Sequence, residues 1–355
     1  MRVLVTGGTG FVGSHAAESL VRAGHAVRLL ARSREKVERV SAVRGISLDD
    51  VVLGDMGDAA ACRRALEGCD AVLHTAASFT IGPGATAQAE NAAGNRNMLG
   101  TAADMGLDPI VYTSSVAALF PPAGPVIRAD DPVGELKSDY GRSKTEGERY
   151  ARELQARGAP LAIVYPAGVY GPDDPGLGPG AKGLRDRLRY GWPLGGGGTC
   201  CIDVRDLAAI CSRAMRPGQG PRRYMAGGHF LPWEDEADLC EEITGRKVRR
   251  IYASRGLLYA AGLVVDGLQR IFPSFDYPLT SEAARYVTDF VPCDSSQTLE
   301  DLGLTFRDTR ETLTDAIRWL VASDHMDPVY AGHLGTTPRK DFRARDEKPG
   351  GGSSQ

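Results

Sequence analysis

The chain has 355 residues, which is enough for one large or two modest globular units. Its 42 basic and 45 acidic residues give a net charge of −3. This balance excludes a strongly basic nucleic-acid-binding protein and gives no overall attraction to anionic lipid. The longest apolar run, residues 256–265, is shorter than the ~20 residues of a membrane span. We therefore expect neither a nucleic-acid partner nor a membrane span.

Cysteine and glycine are the two unusual features of the composition. The seven cysteines form no CxxC pair, and Cys200 and Cys201 are adjacent, which suits neither a disulfide framework nor a metal site. We expect reduced thiols, no bound metal and, since residues 1–8 show no signal-peptide pattern, a cytoplasmic protein. The 44 glycines are about 12% of the chain, against ~7% in an average protein, so their positions need a local explanation.

The first half of the chain alternates short β-branched runs with longer helical patterns. The runs are continuously apolar, as in strands that are buried on both faces. We predict strands at residues 2–5, 26–30, 51–53, 71–74, 110–112 and 161–165. We predict helices at residues 13–23, 59–66, 87–105 and 139–157. This repetition predicts an α/β fold with a Rossmann-type, doubly wound parallel sheet.

The composition changes after residue 170. The segments 172–183 and 191–198 are rich in glycine and proline, which is typical of long loops. Helical patterns return at residues 204–215, 234–244, 254–271 and 309–323. We therefore predict a dinucleotide-binding domain over 1–170, with a contribution from about 200–215. A smaller, mostly helical substrate domain then covers 171–326, and a polar, disordered tail covers 327–355.

The first motif that carries chemistry is TGGTGFVG at residues 6–13, between the first predicted strand and the first predicted helix. Gly7 and Gly10 allow a sharp turn and close approach to a pyrophosphate, and Gly13 allows the helix to pack on the sheet. The N–H groups at the helix start would then face the phosphates. The alternative is an ordinary tight turn between a strand and a helix.

The second motif selects between the two nicotinamide cofactors. An NAD-binding fold usually has an acidic residue at the end of the second strand, where this chain has Ala31 followed by Arg32. Because a guanidinium binds a 2′-phosphate well, NADP is favoured over NAD. Asp55, after the third strand, could accept a hydrogen bond from the adenine amino group. The alternatives are a surface role for Arg32 and a loop-capping role for Asp55.

The third motif places Tyr140 and Lys144 at i and i+4, on one face of a predicted helix. Lowering the pKa of a phenol by ~3 units requires about 4 kcal/mol of preference for phenolate. A cation at ~4 Å supplies that amount at an effective dielectric constant of about 20, but not in bulk water. Lys144 can therefore activate Tyr140 only in a partly desolvated cleft.

The fourth motif, TSS at residues 113–115, follows the fifth predicted strand. Ligands of such sheets bind at the carboxyl ends of the strands, where a serine hydroxyl can donate to a substrate carbonyl. We favour Ser115 for this role. Either serine could instead cap a loop.

Together these motifs resemble the extended short-chain dehydrogenase/reductase family, also called the NAD-dependent epimerase/dehydratase family. Further matches are GDMGD (54–58), VLHTAA (72–77), YGRSK (140–144) and VYGPDD (169–174), in the order of the family. The segments CIDVRD (201–206) and 294–320 are similar to the branch that contains dihydroflavonol reductases, aldehyde reductases and 3β-hydroxysteroid dehydrogenases. The chain departs from the family pattern at Asn95, where a threonine is common.

The resemblance implies roles for individual residues. Ser115, Tyr140 and Lys144 resemble the catalytic triad of the family. The positions that match the family's cofactor ligands are Gly7, Thr9, Gly10, Phe11, Val12, Gly13, Arg32, Asp55, Met56, Thr75, Ala76, Ala77, Tyr140, Lys144, Pro166 and Val169. The resemblance also implies a homodimer formed through the helices at 87–105 and 139–157.

Three functions are consistent with these observations. The first is an NADP(H)-dependent oxidoreductase that transfers hydride between nicotinamide and a carbonyl or alcohol of a small, apolar substrate. We expect its substrate pocket to be formed by residues near 79–83, 120–122 and 169–180 together with the second domain. The second is an NAD-dependent nucleotide-sugar epimerase or dehydratase that uses the same triad. The third is a non-catalytic NADP(H)-binding regulatory protein, although such proteins usually lose the Tyr or the Lys.

Overall fold

A computed structural model describes residues 1–76, 86–136, 138–272 and 280–336 of the chain. The side chains of residues 86–89, 139, 140, 270 and 336 lie outside this description. Among the described residues, no helix is long and apolar enough to cross a membrane.

Three β-sheets form within the described residues. The strands are β1 (Arg2–Thr6), β2 (Ala26–Ala31), β3 (Asp50–Leu53), β4 (Ala71–His74), β5 (Ile110–Thr113), β6 (Leu161–Pro166), β7 (Gly168–Tyr170), β8 (Trp192–Leu194), β9 (Gly198–Asp203), β10 (Arg222–Ala226), β11 (His229–Pro232) and β12 (Arg250–Tyr252). The main sheet has seven parallel strands in the order β10-β6-β5-β4-β1-β2-β3. This order reverses direction between β1 and β4, as in a doubly wound fold, and confirms the predicted fold class.

Helices connect the strands and cover both faces of the main sheet. They are α1 (Phe11–Arg22), α2 (Arg34–Arg44), α3 (Ala59–Leu66), α4 (Thr86–Asn95), α5 (Thr101–Asp104), α6 (Asp139–Ala156), α7 (Pro179–Tyr190), α8 (Val204–Arg213), α9 (Trp233–Thr244), α10 (Arg255–Ile271), α11 (Ser281–Asp289), α12 (Ser296–Leu302) and α13 (Thr309–Ala322). On one face of the sheet, Val3 and Val5 pack in a cluster that includes Leu207 of α8. On the other face, Leu4 packs in a cluster that includes Met98.

The predicted single helix at residues 87–105 is wrong in one respect. It consists of α4, a π-helical turn at Arg96–Gly100 and the short helix α5. The π turn lies where Met98 and Leu99 are fully buried, and where Asn97 donates to the carbonyl oxygens of Met56 and Gly57, both at 3.0 Å. A π-helical turn contains more residues than an α-helical turn, so it changes which of the following side chains face the sheet. The regular spacing of apolar residues along the sequence does not reveal such a turn.

Beyond residue 170 the structure contains more strand than the sequence predicts. Two small sheets form here, with the orders β11-β9-β7 and β12-β8. The glycine- and proline-rich segment 172–183, predicted as a loop, ends inside α7, which starts at Pro179 because proline is well tolerated in the first helical turn. Residues 328–336, which the sequence assigned to the tail, form 3₁₀ turns in which Ala331 is fully buried.

The main sheet also extends past the predicted domain boundary. Strand β10 lies beside β6, with Arg222 opposite Ala162 and Ala226 opposite Pro166. Helix α8 packs against α1 on the same face of the sheet. The division of the chain at residue 170 stays a prediction.

Candidate active site

The carboxyl end of the main sheet collects most of the residues that the sequence analysis selected. All seven strands are parallel, so the segments that follow them emerge at one edge. Gly7 follows β1, Arg32 follows β2, Asp55 follows β3, Thr75 follows β4 and Ser115 follows β5. The candidate site is therefore a row of loops along one edge of the sheet.

The loop between β1 and α1 has no room for a side chain at Gly7 or at Gly13. Gly7 has a φ of +70°, and a Cβ at this position would lie 2.7 Å from Oγ1 of Thr75. A Cβ on Gly13 would overlap the carbonyl group of Gly7 and also lie 2.7 Å from Oγ1 of Thr75. Because no side chain projects from this turn, a dinucleotide pyrophosphate can approach the backbone at the start of the helix.

The start of α1 leaves its backbone donors available. Gly10 is the N-cap residue and supplies no side-chain hydrogen bond to the first turn, which begins with Phe11, Val12 and Gly13. The amide of Gly10 donates to the carbonyl oxygen of Gly7 at 2.8 Å, which closes the turn. Thr9 is half-buried beside it. The helix end thus presents N–H groups and the positive end of its dipole to an anion.

Arg32 and Asp55 lie together at the far end of this row. The guanidinium Nη1 of Arg32 is 3.7 Å from a carboxylate oxygen of Asp55, and both side chains are more than half exposed. Asp55 also accepts a hydrogen bond from the amide of Gly57 at 2.8 Å. Met56 is nearly buried, and its carbonyl oxygen accepts from Asn97. The carboxylate of Asp55 therefore caps its own loop, as in the alternative interpretation, and it also lies within ion-pair distance of Arg32.

The segment after β4 is fastened to the end of β1. Oγ1 of Thr75 donates to the carbonyl oxygen of Thr6 at 2.7 Å, and the amide of Ala76 donates to Oγ1 of Thr6 at 3.3 Å. Pro166 ends β6, and Val169 lies in β7, opposite Ile202. Ala77 lies outside the described residues.

Ser114 and Ser115 have different surroundings at the end of β5. Oγ of Ser115 accepts a hydrogen bond from the amide of Ala117 at 3.2 Å and caps a 3₁₀ turn at Val116–Leu119. Ser115 is 9% exposed, whereas Ser114 is 2% exposed. Ser115 is therefore the serine nearer the surface of the site, although its capping bond is also present.

Helix α6 contributes the Tyr and the Lys of the YGRSK motif. It starts after Ser138, whose side chain accepts from the amide of Gly141 at 3.1 Å. Tyr140 is the second residue of the helix, and its side chain lies outside the described residues. Lys144 is 8% exposed, and burial lowers the pKa of its ammonium group to about 8, against the raising effect of Glu148. The lysine therefore lies in the desolvated setting that the sequence argument required.

A buried chain of polar side chains, which the sequence analysis did not predict, runs below this edge. Oγ1 of Thr6 lies 2.7 Å from Nδ1 of His74, and Nε2 of His74 lies 2.9 Å from Oδ1 of Asn95. Nδ2 of Asn95 donates to the hydroxyl group of Tyr112 at 3.3 Å. Burial lowers the pKa of His74 to about 4, so its imidazole is neutral at pH 7. It donates from Nε2 and accepts at Nδ1, and the chain joins β1, β4, α4 and β5.

A second unpredicted cluster connects α6 to the sheet. The fully buried carboxylate of Glu148 accepts from Oγ of Ser114 at 2.8 Å and from the hydroxyl group of Tyr165 at 2.6 Å. Arg152 donates to the same carboxylate at 2.6 Å. Glu148 lies one helical turn after Lys144 on α6. This i+4 spacing is the feature of the sequence that could have indicated a role for Glu148 near the site. The cluster holds α6, with Lys144, against the end of β5.

Two open clefts adjoin the small sheets, within the described residues. One has a volume of about 550 Å³ and is lined by the loop 194–197, by Trp233 and by residues 252–254. The other has a volume of about 580 Å³ and is lined by Pro121, Pro122 and Phe230 together with residues 288–292. Gly197 belongs to both. Of the three expected pocket segments, residues 120–122 contribute Pro121 and Pro122, residues 169–180 line neither cleft, and residues 79–83 lie outside the described residues. Ser115 and Lys144 are not among the lining residues of either cleft.

The chain matches known proteins over most of its length. The family model described as the NAD dependent epimerase/dehydratase family matches residues 3–227. Sterol demethylase protein B of Methylococcus capsulatus is 29% identical, over 90% of this chain and 98% of that protein. Cinnamoyl-CoA reductase 1 of Oryza sativa subsp. japonica is 27% identical, over 92% of this chain and 93% of that protein. The crystal structure of gox2253 superposes with a TM-score of 0.76 at 28% identity, over 92% of this chain and 99% of that one.

Proposed function

Because the chain belongs to the NAD dependent epimerase/dehydratase family, also called the extended short-chain dehydrogenases/reductases, we propose that it is an NADP(H)-dependent reductase or dehydrogenase. Its substrate is a carbonyl compound or alcohol of small, apolar character. The observation that carries this proposal is the buried ammonium group of Lys144, one turn after Tyr140 on the helix that Glu148 joins to Ser114 at the end of β5.

The catalytic groups act on the oxygen of the substrate. When bound, NADP(H) supplies or accepts the hydride at the carbonyl carbon. Tyr140 gives a proton to the carbonyl oxygen during reduction, and Ser115 donates a hydrogen bond to the same oxygen. Lys144 is protonated below its pKa of about 8, and its charge stabilises the phenolate that Tyr140 leaves behind.

Arg32 supports a preference for NADP(H). It is the cation nearest the end of β2, where the 2′-substituent of an adenosine ribose lies in such folds. Its side chain is 74% exposed and reaches Asp55 only at 3.7 Å, so a phosphate could replace that partner. The start of α2 lies directly after Arg32, because Ser33 is its N-cap residue and accepts from the amide of Lys36. The N-terminus of a helix favours a bound phosphate at this position.

The two clefts support an apolar substrate. Their walls include the aromatic side chains of Phe230, Trp233, Tyr252 and Phe290, and the charged pair between Arg255 and Asp289, at 2.9 Å, lies at one rim. By their printed names, one relative is a sterol demethylase protein and another a cinnamoyl-CoA reductase, so a sterol and an aromatic acyl group are associated with relatives of this chain. An aromatic or terpenoid carbonyl compound fits these walls better than a nucleoside diphosphate does, since among the described lining residues Arg255 is the sole cation.

An NADPH oxidation screen tests this function. Aldehydes, ketones and sugar nucleotides are offered to the purified chain with NADPH and, in parallel, with NADH. We expect turnover of an apolar carbonyl compound with NADPH. The Tyr140→Phe variant should lose at least a hundredfold in kcat and still bind NADPH, as measured by cofactor fluorescence. Full activity of this variant contradicts the role of Tyr140.

A second candidate function is a nucleotide-sugar epimerase or dehydratase that recycles its nicotinamide cofactor. The ion pair between Arg32 and Asp55 favours it, because a carboxylate near the ribose suits the free 2′-hydroxyl of NAD. This function predicts NAD that is retained through purification and turnover of a UDP- or dTDP-sugar. Mass spectrometry of the denatured protein, which releases any retained nucleotide, distinguishes the two functions.

A further inference from the structure

The adjacent cysteines Cys200 and Cys201 are a feature of the sequence that the proposed function does not use. They lie in β9, and neighbouring side chains of a strand point to opposite faces of its sheet. Cys200 packs in the cluster that includes Phe290, whereas Cys201 packs in the cluster that includes Trp192. Both cysteines are almost fully buried. Each of them therefore has its own set of neighbours.

On its side of β9, Cys200 has a second cysteine close by that is distant in sequence. Cys293 is partly buried and packs against the same cluster as Cys200. A Cβ on Gly227 would lie 2.5 Å from the Cβ atom of Cys293. Gly227 lies just before β11, the strand that pairs with β9. Folding thus brings Cys293 to the part of the small sheet that contains Cys200.

Backbone hydrogen bonds hold the segment around Cys293 in place. Ile127, which is fully buried, forms a parallel β-bridge with Cys293. The amide of Ile127 donates to the carbonyl oxygen of Pro292 at 2.8 Å. The amide of Asp294 donates to the carbonyl oxygen of Ile127 at 2.9 Å. Cys293 is therefore positioned by the fold on both sides of its peptide unit.

The thiols of Cys200 and Cys293 affect each other's ionisation. A hydrogen bond between the two side chains lowers the pKa of Cys200, against the raising effect of burial. The same hydrogen bond, together with burial, raises the pKa of Cys293. By contrast, burial raises the pKa of Cys201 on the other face of β9. Thiols that share a proton need only a small movement of either side chain to bring their sulfur atoms to bonding distance.

The two cysteines also adjoin one of the two clefts. Phe230, opposite Cys200 in the pairing of β9 with β11, lines the cleft of about 580 Å³. Phe290 and Pro292 line the same cleft, and Pro292 directly precedes Cys293. The cysteines thus belong to two different walls of this cleft, one formed by the small sheet and one by residues 288–292.

We propose that Cys200 and Cys293 form a reversible disulfide when the chain meets hydrogen peroxide, and that this bond joins the two walls of the cleft. One thiol gives an electron pair to the peroxide, becomes a sulfenic acid and releases a first water molecule. The other thiol displaces the hydroxyl group of the sulfenic acid, which forms the S–S bond and releases a second water molecule. The two sulfur atoms together lose two electrons, which reduce the two oxygen atoms of the peroxide. A dithiol such as dithiothreitol reverses the reaction by thiol–disulfide exchange.

Peptide mapping of the peroxide-treated chain tests this bond. The parent chain is treated with dilute hydrogen peroxide, alkylated with iodoacetamide in denaturant and digested with trypsin. We expect the peptide 190–205, with Cys200 and Cys201, to be linked to the peptide 286–307, with Cys293. The linked species should lack two hydrogen atoms relative to the two free peptides, and dithiothreitol should release them. Fragmentation of the linked species should place the bond on Cys200.

Variants identify the two partners of the bond. The linked species should be lost in Cys200→Ala and in Cys293→Ala. Cys201→Ala is the matched control, because it removes a buried thiol from the same strand and the same tryptic peptide. It should form the linked species as the parent chain does. Thermal unfolding checks that the three variants are folded, and the mapping of the parent chain does not depend on any of them.

Four results would overturn the proposal. The first is a treated parent chain in which Cys200 and Cys293 are both recovered in alkylated form. The second is a Cys293 that accumulates sulfinic or sulfonic acid without any linked species, since a nearby thiol would have intercepted the sulfenic acid. The third is a bond that persists in Cys200→Ala, and the fourth is a bond found only between two chains on a non-reducing gel. None of these measurements depends on catalysis, so the proposed function can fail or succeed independently.

Discussion

At the scale of single residues, the candidate site depends on what burial does to a few ionisable groups. The sequence predicted that Lys144 follows Tyr140 on one helix face, because i and i+4 spacing is a local property. It did not predict that burial lowers the pKa of Lys144 to about 8, or that of His74 to about 4. Those shifts depend on residues that are distant in sequence and close only after folding.

Arg32 provides the first prediction at this scale. In the Arg32→Ala variant, the dissociation constant for NADPH should rise about tenfold to a hundredfold, because a hydrogen bond to a charged group contributes about 1.5–3 kcal/mol. The affinity for NADH, which lacks the 2′-phosphate, should be unchanged. Isothermal titration with both nucleotides measures this difference.

The control for this prediction is Arg39→Ala. Arg39 is 67% exposed and pairs with Glu35 on α2, so its loss removes a similar surface charge away from the end of β2. It should leave both affinities unchanged. Equal loss of NADPH and NADH binding in Arg32→Ala would contradict a phosphate-specific role.

His15 provides a prediction for pH dependence. Burial, followed by the charge of Arg44, lowers the pKa of His15 from 6.5 to about 3 in the folded chain. As the pH falls below 6.5, the unfolded imidazole takes up a proton and the folded one does not, so the folded state loses relative stability. Between pH 7 and pH 5 this loss is about 2 kcal/mol.

Urea unfolding of the His15→Gln variant at both pH values measures this contribution. The free energy of unfolding of the variant should fall by about 2 kcal/mol less than that of the parent chain. His74 is unchanged in both chains, so its own contribution cancels. An identical pH dependence in the two chains would exclude a buried, neutral His15.

At the scale of elements, strands with a continuous apolar run and most amphipathic helices were predictable, whereas elements with few apolar residues or a charged start were not. Strands β1 to β6 occur where β-branched runs predict them, within one or two residues. Strand β10 (RRYMA) was missed because two arginines begin it, and α2 because its sequence has few apolar residues. Both are ordered by their place beside an existing sheet, which sequence periodicity does not report.

The turn from β1 into α1 provides the prediction at this scale. In Gly13→Ala, the new methyl group would overlap the carbonyl group of Gly7. The loop must move, so nucleotide affinity should fall at least tenfold and the melting temperature should decrease. Nucleotide titration and thermal unfolding measure the two effects.

Gly256→Ala is the matched control for this change. A Cβ at Gly256, in the first turn of α10, would meet nothing within 4 Å. This variant should bind nucleotide normally and be as stable as the parent chain or slightly more stable. Normal nucleotide binding by Gly13→Ala would show that the loop tolerates the methyl group.

At the scale of the whole molecule, polar contacts join parts of the chain that are far apart in sequence. Arg205, at the start of α8, donates to the fully buried carboxylate of Asp203 and pairs with Asp315 of α13 at 2.9 Å. Thr312 of α13 donates to the same Asp203 carboxylate at 2.9 Å. This cluster fastens the last long helix, α13, to the junction between β9 and α8.

Replacement of Arg205 by methionine provides the prediction at this scale. It leaves the carboxylate of Asp203 buried without its cation, so the free energy of unfolding should fall by about 3 kcal/mol. The control Arg39→Met breaks an exposed i, i+4 pair and should cost less than about 0.5 kcal/mol. Chemical denaturation of both variants gives the comparison, and equal losses would contradict a connecting role for Arg205.

The sequence by itself determined the parallel sheet, the glycine turn at its carboxyl edge and the family to which the chain belongs. These features depend on short stretches of residues, such as the apolar run of β1 and the glycines at 7, 10 and 13. Only the tertiary structure decided that β10 extends the sheet, that Glu148 joins α6 to Ser114, and that Cys293 packs against the cluster that contains Cys200. The physical reason is that burial and partner choice depend on distances through space, which the spacing along a chain does not contain.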